Sequence, residues 1–61
     1  MNEVKIGDKI KIIAMEGEPI YEDKVGTVTS IDDMGQLHGT WGGIAIIPDL
    51  DEFIIISRST L

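Results

Sequence analysis

Along residues 4–15 the apolar side chains fall on every second position. Val4, Ile6, Ile10, Ile12 and Ala14 share one parity, and Glu3, Lys5, Lys9 and Lys11 share the other. Period two with apolar residues on one face is the pattern of a half-buried strand, and no stretch of the chain competes with apolar residues at helical spacing. The core therefore has to be built from sheet. With 61 residues there is room for one domain, and the absence of cysteine removes disulfides and thiolate metal sites as staples. Stability must come from aliphatic packing or from a partner subunit. Isoleucine dominates the 43% of residues that are hydrophobic. Branching at Cβ suits a pleated, half-buried surface better than a helix, where χ1 freedom is lost.

Five short strands follow from the punctuation. Gly7-Asp8 bends a short lead-in before a first strand over residues 9–15. Residues 16–24 contain Gly17, Pro19 and four acids without periodicity, which reads as a long loop of the kind that carries function. The second strand spans residues 25–31. Val28 and Ile31 are three apart, so both face the core only if a β-bulge near Thr29-Ser30 shifts the register. Asp32-Asp33-Met34-Gly35 has the composition of a type I turn closed by a glycine with positive φ. Residues 36–41 form the third strand, Gly42-Gly43 reads as a two-residue hairpin turn, and residues 44–47 form the fourth strand. Pro48 to Asp51 suits one 3₁₀ turn, residues 52–56 the last strand, and residues 57–61 a frayed tail. The expected fold is all-β: a small, closed, five-stranded SH3-like barrel over residues 1–61, a single domain with one long loop after the first strand.

The motifs carry a resemblance in support. Gly7-Asp8 precedes an aliphatic strand, and Val25-Gly26-Thr27-Val28 is followed by Ile31-Asp32-Asp33 and Gly35-Gln36-Leu37-His38. Trp41, Ile46-Ile47-Pro48, Asp51 and Phe53 complete the pattern. Over residues 5–55 it resembles a family of small bacterial and phage proteins known only as a domain of unknown function. The Gly-Asp opening and Gly-Thr-Val strand are more loosely similar to KOW domains, which implies an SH3-like barrel and no catalytic residues. The sequence departs from the family at Gly42-Gly43, directly after Trp41, and at Gly39, where the pattern prefers an aliphatic. That glycine leaves space beside Trp41.

A formal charge of −6, from eleven acidic and five basic residues, repels phosphate backbones on average and disfavours nucleic acid as a partner. No apolar run approaches the roughly 20 residues of a membrane span, and the N-terminus lacks the apolar core of a secretory signal, so the expectation is a cytoplasmic protein that does not contact membranes. Catalysis is not expected: the single histidine, His38, lies on the polar parity of a strand, with no cysteine and no strand-to-helix serine elbow. The turn at Asp32–Gly35 is too short for a calcium loop, so no metal and no cofactor are expected. Lys5, Lys9 and Lys11 on the outward face protect a strand from edge-to-edge pairing, and no aromatic residue is interleaved to stack bases.

The apolar surplus is the most informative feature. One small core uses one face of each strand, which leaves Ile13, Met15, Ile47, Ile54 and Ile56 without a place in it. Burying such side chains is worth about 1.5–3 kcal/mol each, so they point to an interface. The expected function is a non-catalytic interaction module that binds a protein partner, or itself as a homodimer, through an apolar patch with an acidic rim. Its candidate contacts are Glu18, Tyr21, Glu22, Asp23, Trp41, Ile47, Ile54 and Ile56, although Trp41 equally suits a core anchor. The alternatives are a KOW-like barrel using the three lysines on nucleic acid and a small acidic inhibitor of a nucleic-acid-binding protein.

Overall fold

The computed structural model describes residues 4–15 and 17–59. Glu16 of the acidic loop, and Thr60 and Leu61 of the expected tail, lie outside the described residues. The protein is all-β: strands β1 (Lys9–Ala14), β2 (Val25–Ile31), β3 (Leu37–Gly39), β4 (Gly42–Ile46) and β5 (Glu52–Ser57) form one antiparallel sheet in the order β4-β3-β2-β1-β5. The first half of β2 pairs with β1, Lys11 facing Val25, and its second half pairs with β3, Ile31 facing Leu37. One strand thus serves both halves of the sheet, which bends around it. The expected bulge is present: Val28 faces Gly39 and Ser30 faces His38, leaving Thr29 as the extra residue, but it does not bring Ile31 into the core beside Val28, Ile31 being 39% exposed.

The bend closes over a core of Ile10, Ile12, Met15, Val28, Leu37, Trp41 and Ile46, against which Val4, Tyr21, Ile44, Phe53 and Ile55 pack. Ile10 and Ile12 come from the predicted inward parity of β1. Met15, expected to be surplus, is buried as the chain leaves that strand. Hydrogen bonds do not complete the expected closed barrel. β4 ends at Ile46 beside Leu37, whereas β5 starts at Glu52 beside Ala14. The intervening turn occupies the gap, and among the described residues β4 and β5 do not pair.

Three turns differ from expectation. The β3–β4 hairpin turns at Thr40-Trp41, with Gly39 facing Gly42, so Gly42 and Gly43 belong to β4 rather than to the turn. The reason is Trp41. Its ring folds back over Gly39, its Nε1 donates to the Ile44 carbonyl at 2.7 Å, and only 5% of the residue is exposed. A Cβ on Gly39 would collide with that ring and with the Thr27 carbonyl, so the space left by the glycine is filled by its neighbour. The turn is tied down through Thr40, whose N–H donates to the Thr27 carbonyl (3.1 Å) and whose Oγ1 accepts from the Thr27 N–H (3.0 Å). The 3₁₀ turn lies at Pro19–Tyr21 in the long loop, where proline occupies its first turn. At residues 47–51 Asp51 is buried instead: its Oδ2 accepts from the Ile47 N–H (2.8 Å) while its own N–H donates to the Ile47 carbonyl (2.8 Å).

The chain termini are joined by a buried carboxylate. Asp8 is 1% exposed; its Oδ2 accepts from the Lys5 N–H (2.9 Å) and its Oδ1 from the Ser59 N–H (2.6 Å), 51 residues away. The Asp8 carbonyl accepts from the Val28 N–H, and Gly7 donates to the Val28 carbonyl. Gly7, at φ +99°, leaves no room for a side chain against Ser59. Ser57 lies in β5 and Ser59 is bonded to Asp8, so the frayed tail expected from residue 57 is not seen through Ser59. The two backbone hydrogen bonds, from Ser59 and then Lys5, with the Arg58 guanidinium 4.0 Å away, lower the Asp8 carboxyl pKa against the opposing effect of burial.

Two predictions follow from this packing. Gly39→Ala is expected to destabilise the protein by about 1–3 kcal/mol in urea titrations, as overpacking does, while Gly43→Ala, where nothing lies within 4 Å of a Cβ, leaves the midpoint nearly unchanged. A folded pKa below the ordinary 3.8 means that Asp8 contributes its full stability above that value and loses it as the pH falls through the lowered one. Thermal melts should therefore show Asp8→Asn well below the wild type near neutral pH, with the gap closing as the pH falls below 3.8.

Candidate interaction surface

β5 pairs with β1 alone among the described residues, so its other side is an unpaired edge. Phe53 and Ile55 turn toward the core and are half-buried; Ile54 and Ile56 turn outward at 48% and 46% exposure. The register places Ile54 beside Lys11, and Lys11 beside Val25, so these three side chains form one row across the outer face. Two irregularities enlarge its apolar content. Ile12 faces Phe53 and Ala14 faces Glu52, leaving Ile13 as an extra exposed residue in β1; Lys9 faces Ser57 and Ile10 faces Ile55, leaving Ile56 as the extra residue in β5. Residues 54–58 line a shallow groove of about 350 Å³ along the same strand. Consecutive residues lining one concavity expose the backbone edge as well as side chains. Ile20, Met34 and Leu50 are also exposed, but singly, on turns, as is common on soluble proteins.

The candidate contacts divide between places. Ile54 and Ile56 lie on the β5 edge. Tyr21 lies over Gly42, where an added Cβ would come within 2.9 Å of its ring, so the loop and the β3–β4 hairpin do meet. Trp41 beneath them is core and offers no accessible face. The loop is secured to β1, with the Asp23 N–H donating to the Ile12 carbonyl and the Ile12 N–H to that of Lys24 (both 2.8 Å). Glu18 is half-buried, whereas Glu22 and Asp23 are exposed, Asp23 lying 3.7 Å from the Lys11 ammonium. Ile47 follows β4 at the start of the turn and is half-buried, tied by both backbone groups to Asp51, the residue before β5.

Of the carboxylates, Asp23, through Lys11, and Glu52, on β5 itself, lie near the exposed isoleucines, whereas Asp32 lies elsewhere. Asp23 and Asp32 flank opposite ends of β2, whose seven residues span about 20 Å. Asp32 is occupied with its own turn: Oδ1 accepts from the Met34 (2.9 Å) and Gln36 (3.0 Å) N–H groups, and Oδ2 meets His38 Nε2 at 3.0 Å. The contact with His38 and then the backbone donors lower its pKa. The exposed isoleucines also have basic neighbours, Lys11 across the register and Arg58 beyond the strand. Sequence reasoning missed Val25, although its parity with Thr27 and Thr29 assigns it to the outer face. It also missed Arg58, which it placed in the tail. Among the described residues no group of three or more acidic or histidine side chains is arranged to hold a metal ion, and no helix is long and apolar enough to cross a membrane. A second cleft, of about 410 Å³, lies between Ile31, Leu37, Pro48 and Phe53, with Lys5 in its wall.

No protein-family model, curated protein or solved structure matches the chain.

The exposed positions are expected to be cheap to change. Ile54→Lys and Ile56→Lys should each move the folding free energy by only about 0.5 kcal/mol, whereas Ile12→Ala in the core costs about 2–5 kcal/mol. Urea titrations of the three variants measure the contrast.

Proposed function

We propose that this protein is a non-catalytic interaction module on a small SH3-like barrel, and that the outer face of β1 and β5 is its contact surface. The observation that carries the reading is the pair Ile54 and Ile56, each about half exposed on a strand paired along one side only. Half-exposed isoleucines on an open edge forgo burial that a domain of 61 residues has little margin to lose, and covering them is the natural gain of association. The barrel reading rests on the strand order, with first and last strands adjacent and β2 shared between the halves, and on the Gly26–Gly35 stretch that resembles the small bacterial and phage family.

The basic neighbours of the patch favour a partner with an apolar centre and acidic flanks. They also keep the KOW-like reading in play as a second one, since Lys9 and Lys11 stand exposed or half-exposed on this face; it lacks an aromatic side chain among them on which bases stack.

A tagged pull-down with and without nuclease, washed at low and high salt, tests the choice. Apolar docking predicts a protein partner that survives nuclease and salt and is lost with Ile54→Lys. Loss with nuclease alone would replace this reading with the nucleic-acid one, and loss with salt alone would point to the acidic loops, because exposed charges are screened.

A further inference from the structure

We propose that the cleft between Ile31, Leu37, Pro48 and Phe53 binds a small amphipathic monocarboxylate, with the apolar body in the cleft and the carboxylate at the Lys5 ammonium. This goes beyond the interaction-module reading and does not depend on it. The cleft shares no residue with the groove along residues 54–58 or with the row of Lys11, Val25 and Ile54.

The cleft belongs to the open seam of the sheet. β4 ends at Ile46 beside Leu37, β5 starts at Glu52 beside Ala14, and among the described residues no ladder joins the two strands. Pro48 lies just beyond β4 and Phe53 within β5, so the lining joins both strands across the gap, with Val4 of the lead-in beside them. The hollow measures about 410 Å³, within the roughly 300–1,000 Å³ of small-molecule sites. Its lining is mostly apolar, as those sites are: Leu37 is buried, Phe53 is half-buried, and Ile31 is the side chain that the bulge in β2 leaves outside the core. A ligand body seated there takes apolar surface out of water on both sides of the contact.

Charge selects the ligand. Eleven of the 61 residues are acidic, yet among the described residues that line the cleft Lys5 alone is charged. The bend at Gly7-Asp8 separates it from Lys9 and Lys11 on β1. Its backbone is held at the cleft wall, the N–H donating to Asp8 Oδ2 at 2.9 Å. Among the described residues its ammonium makes no ion pair. Asp8, whose carboxylate feels its field, already has both oxygens bonded to backbone N–H groups and the Arg58 guanidinium 4.0 Å away. One unpaired cation beside an apolar hollow matches one anionic group on an apolar body. A dianion such as a phosphate monoester would bring a second charge that this wall leaves without a partner.

Octanoate supplies this chemistry, octanamide keeps its length without the charge, and butyrate keeps the charge on a shorter body. Each is titrated at neutral pH into the nitrogen-15-labelled protein and read by amide chemical shifts. Octanoate is expected to give saturable shifts centred on residues 4, 5, 31, 35, 37 and 53, and to bind severalfold more tightly than either control. Lys5→Met, which keeps an apolar stem and removes the charge, is expected to melt like the wild type and to bind octanoate no better than octanamide. No saturable shift at these residues up to the solubility of octanoate would overturn the site. Equal affinity for octanoate and octanamide in the wild type would overturn the role of Lys5, even if Lys5→Met failed to fold. Shifts centred on residues 54–58 would move the ligand to the other groove and overturn the assignment. Shifts of the cleft residues on diluting the protein without ligand would give the cleft to a second copy of the chain, and would overturn it as well.

Discussion

A single buried carboxylate holds the two ends of this chain together. Asp8 accepts hydrogen bonds from backbone N–H groups on either side of it, at Lys5 and at Ser59, and its own carbonyl joins the lead-in to β2 at Val28. A carboxylate at 1% exposure is tolerated only when its oxygens are engaged, and among the described residues no buried side-chain polar atom lacks a partner. The position of β5 depends on this junction. Among the described residues the last strand pairs only with β1; that ladder and the packing of Phe53 and Ile55 hold it, and the Ser59–Asp8 bond fixes its far end. What the junction leaves unpaired is the other side of β5.

The remainder of the core is organised from the opposite end of the strand order. Trp41 is the largest side chain of the core, and it reaches it from a turn rather than from a strand. That is possible because Gly39 clears the ring, the Ile44 carbonyl receives the indole N–H, and Thr40 clamps the turn to Thr27. Tyr21 then lies across Gly42 and covers the hairpin with the long loop. The loop and hairpin are therefore parts of the packing.

Much of this was legible in the sequence because it is local. Alternation located β1, β2 and β5 and assigned Phe53 and Ile55 inward and Ile54 and Ile56 outward; the three-residue spacing of Val28 and Ile31 located the bulge; Asp32 and Gly35 located their turn. The failures share a physical cause. Gly42-Gly43 carries a stronger local turn signal than Thr40-Trp41, but the burial of one indole ring decides the register. Asp8 reads as a surface bend residue until Ser59, 51 positions away, is brought to it. Asp51 reads as the end of a plain turn until the chain folds around its carboxylate, and Met15 as surplus until the chain turns inward after β1.

The account turns on the unpaired side of β5, and native-state amide hydrogen exchange reads that side directly. In dilute solution the β5 amides that face β1 should be protected while those facing away exchange as exposed backbone does. Protection of every β5 amide independent of concentration would contradict the account, because it would mean that the edge is already covered within the single chain.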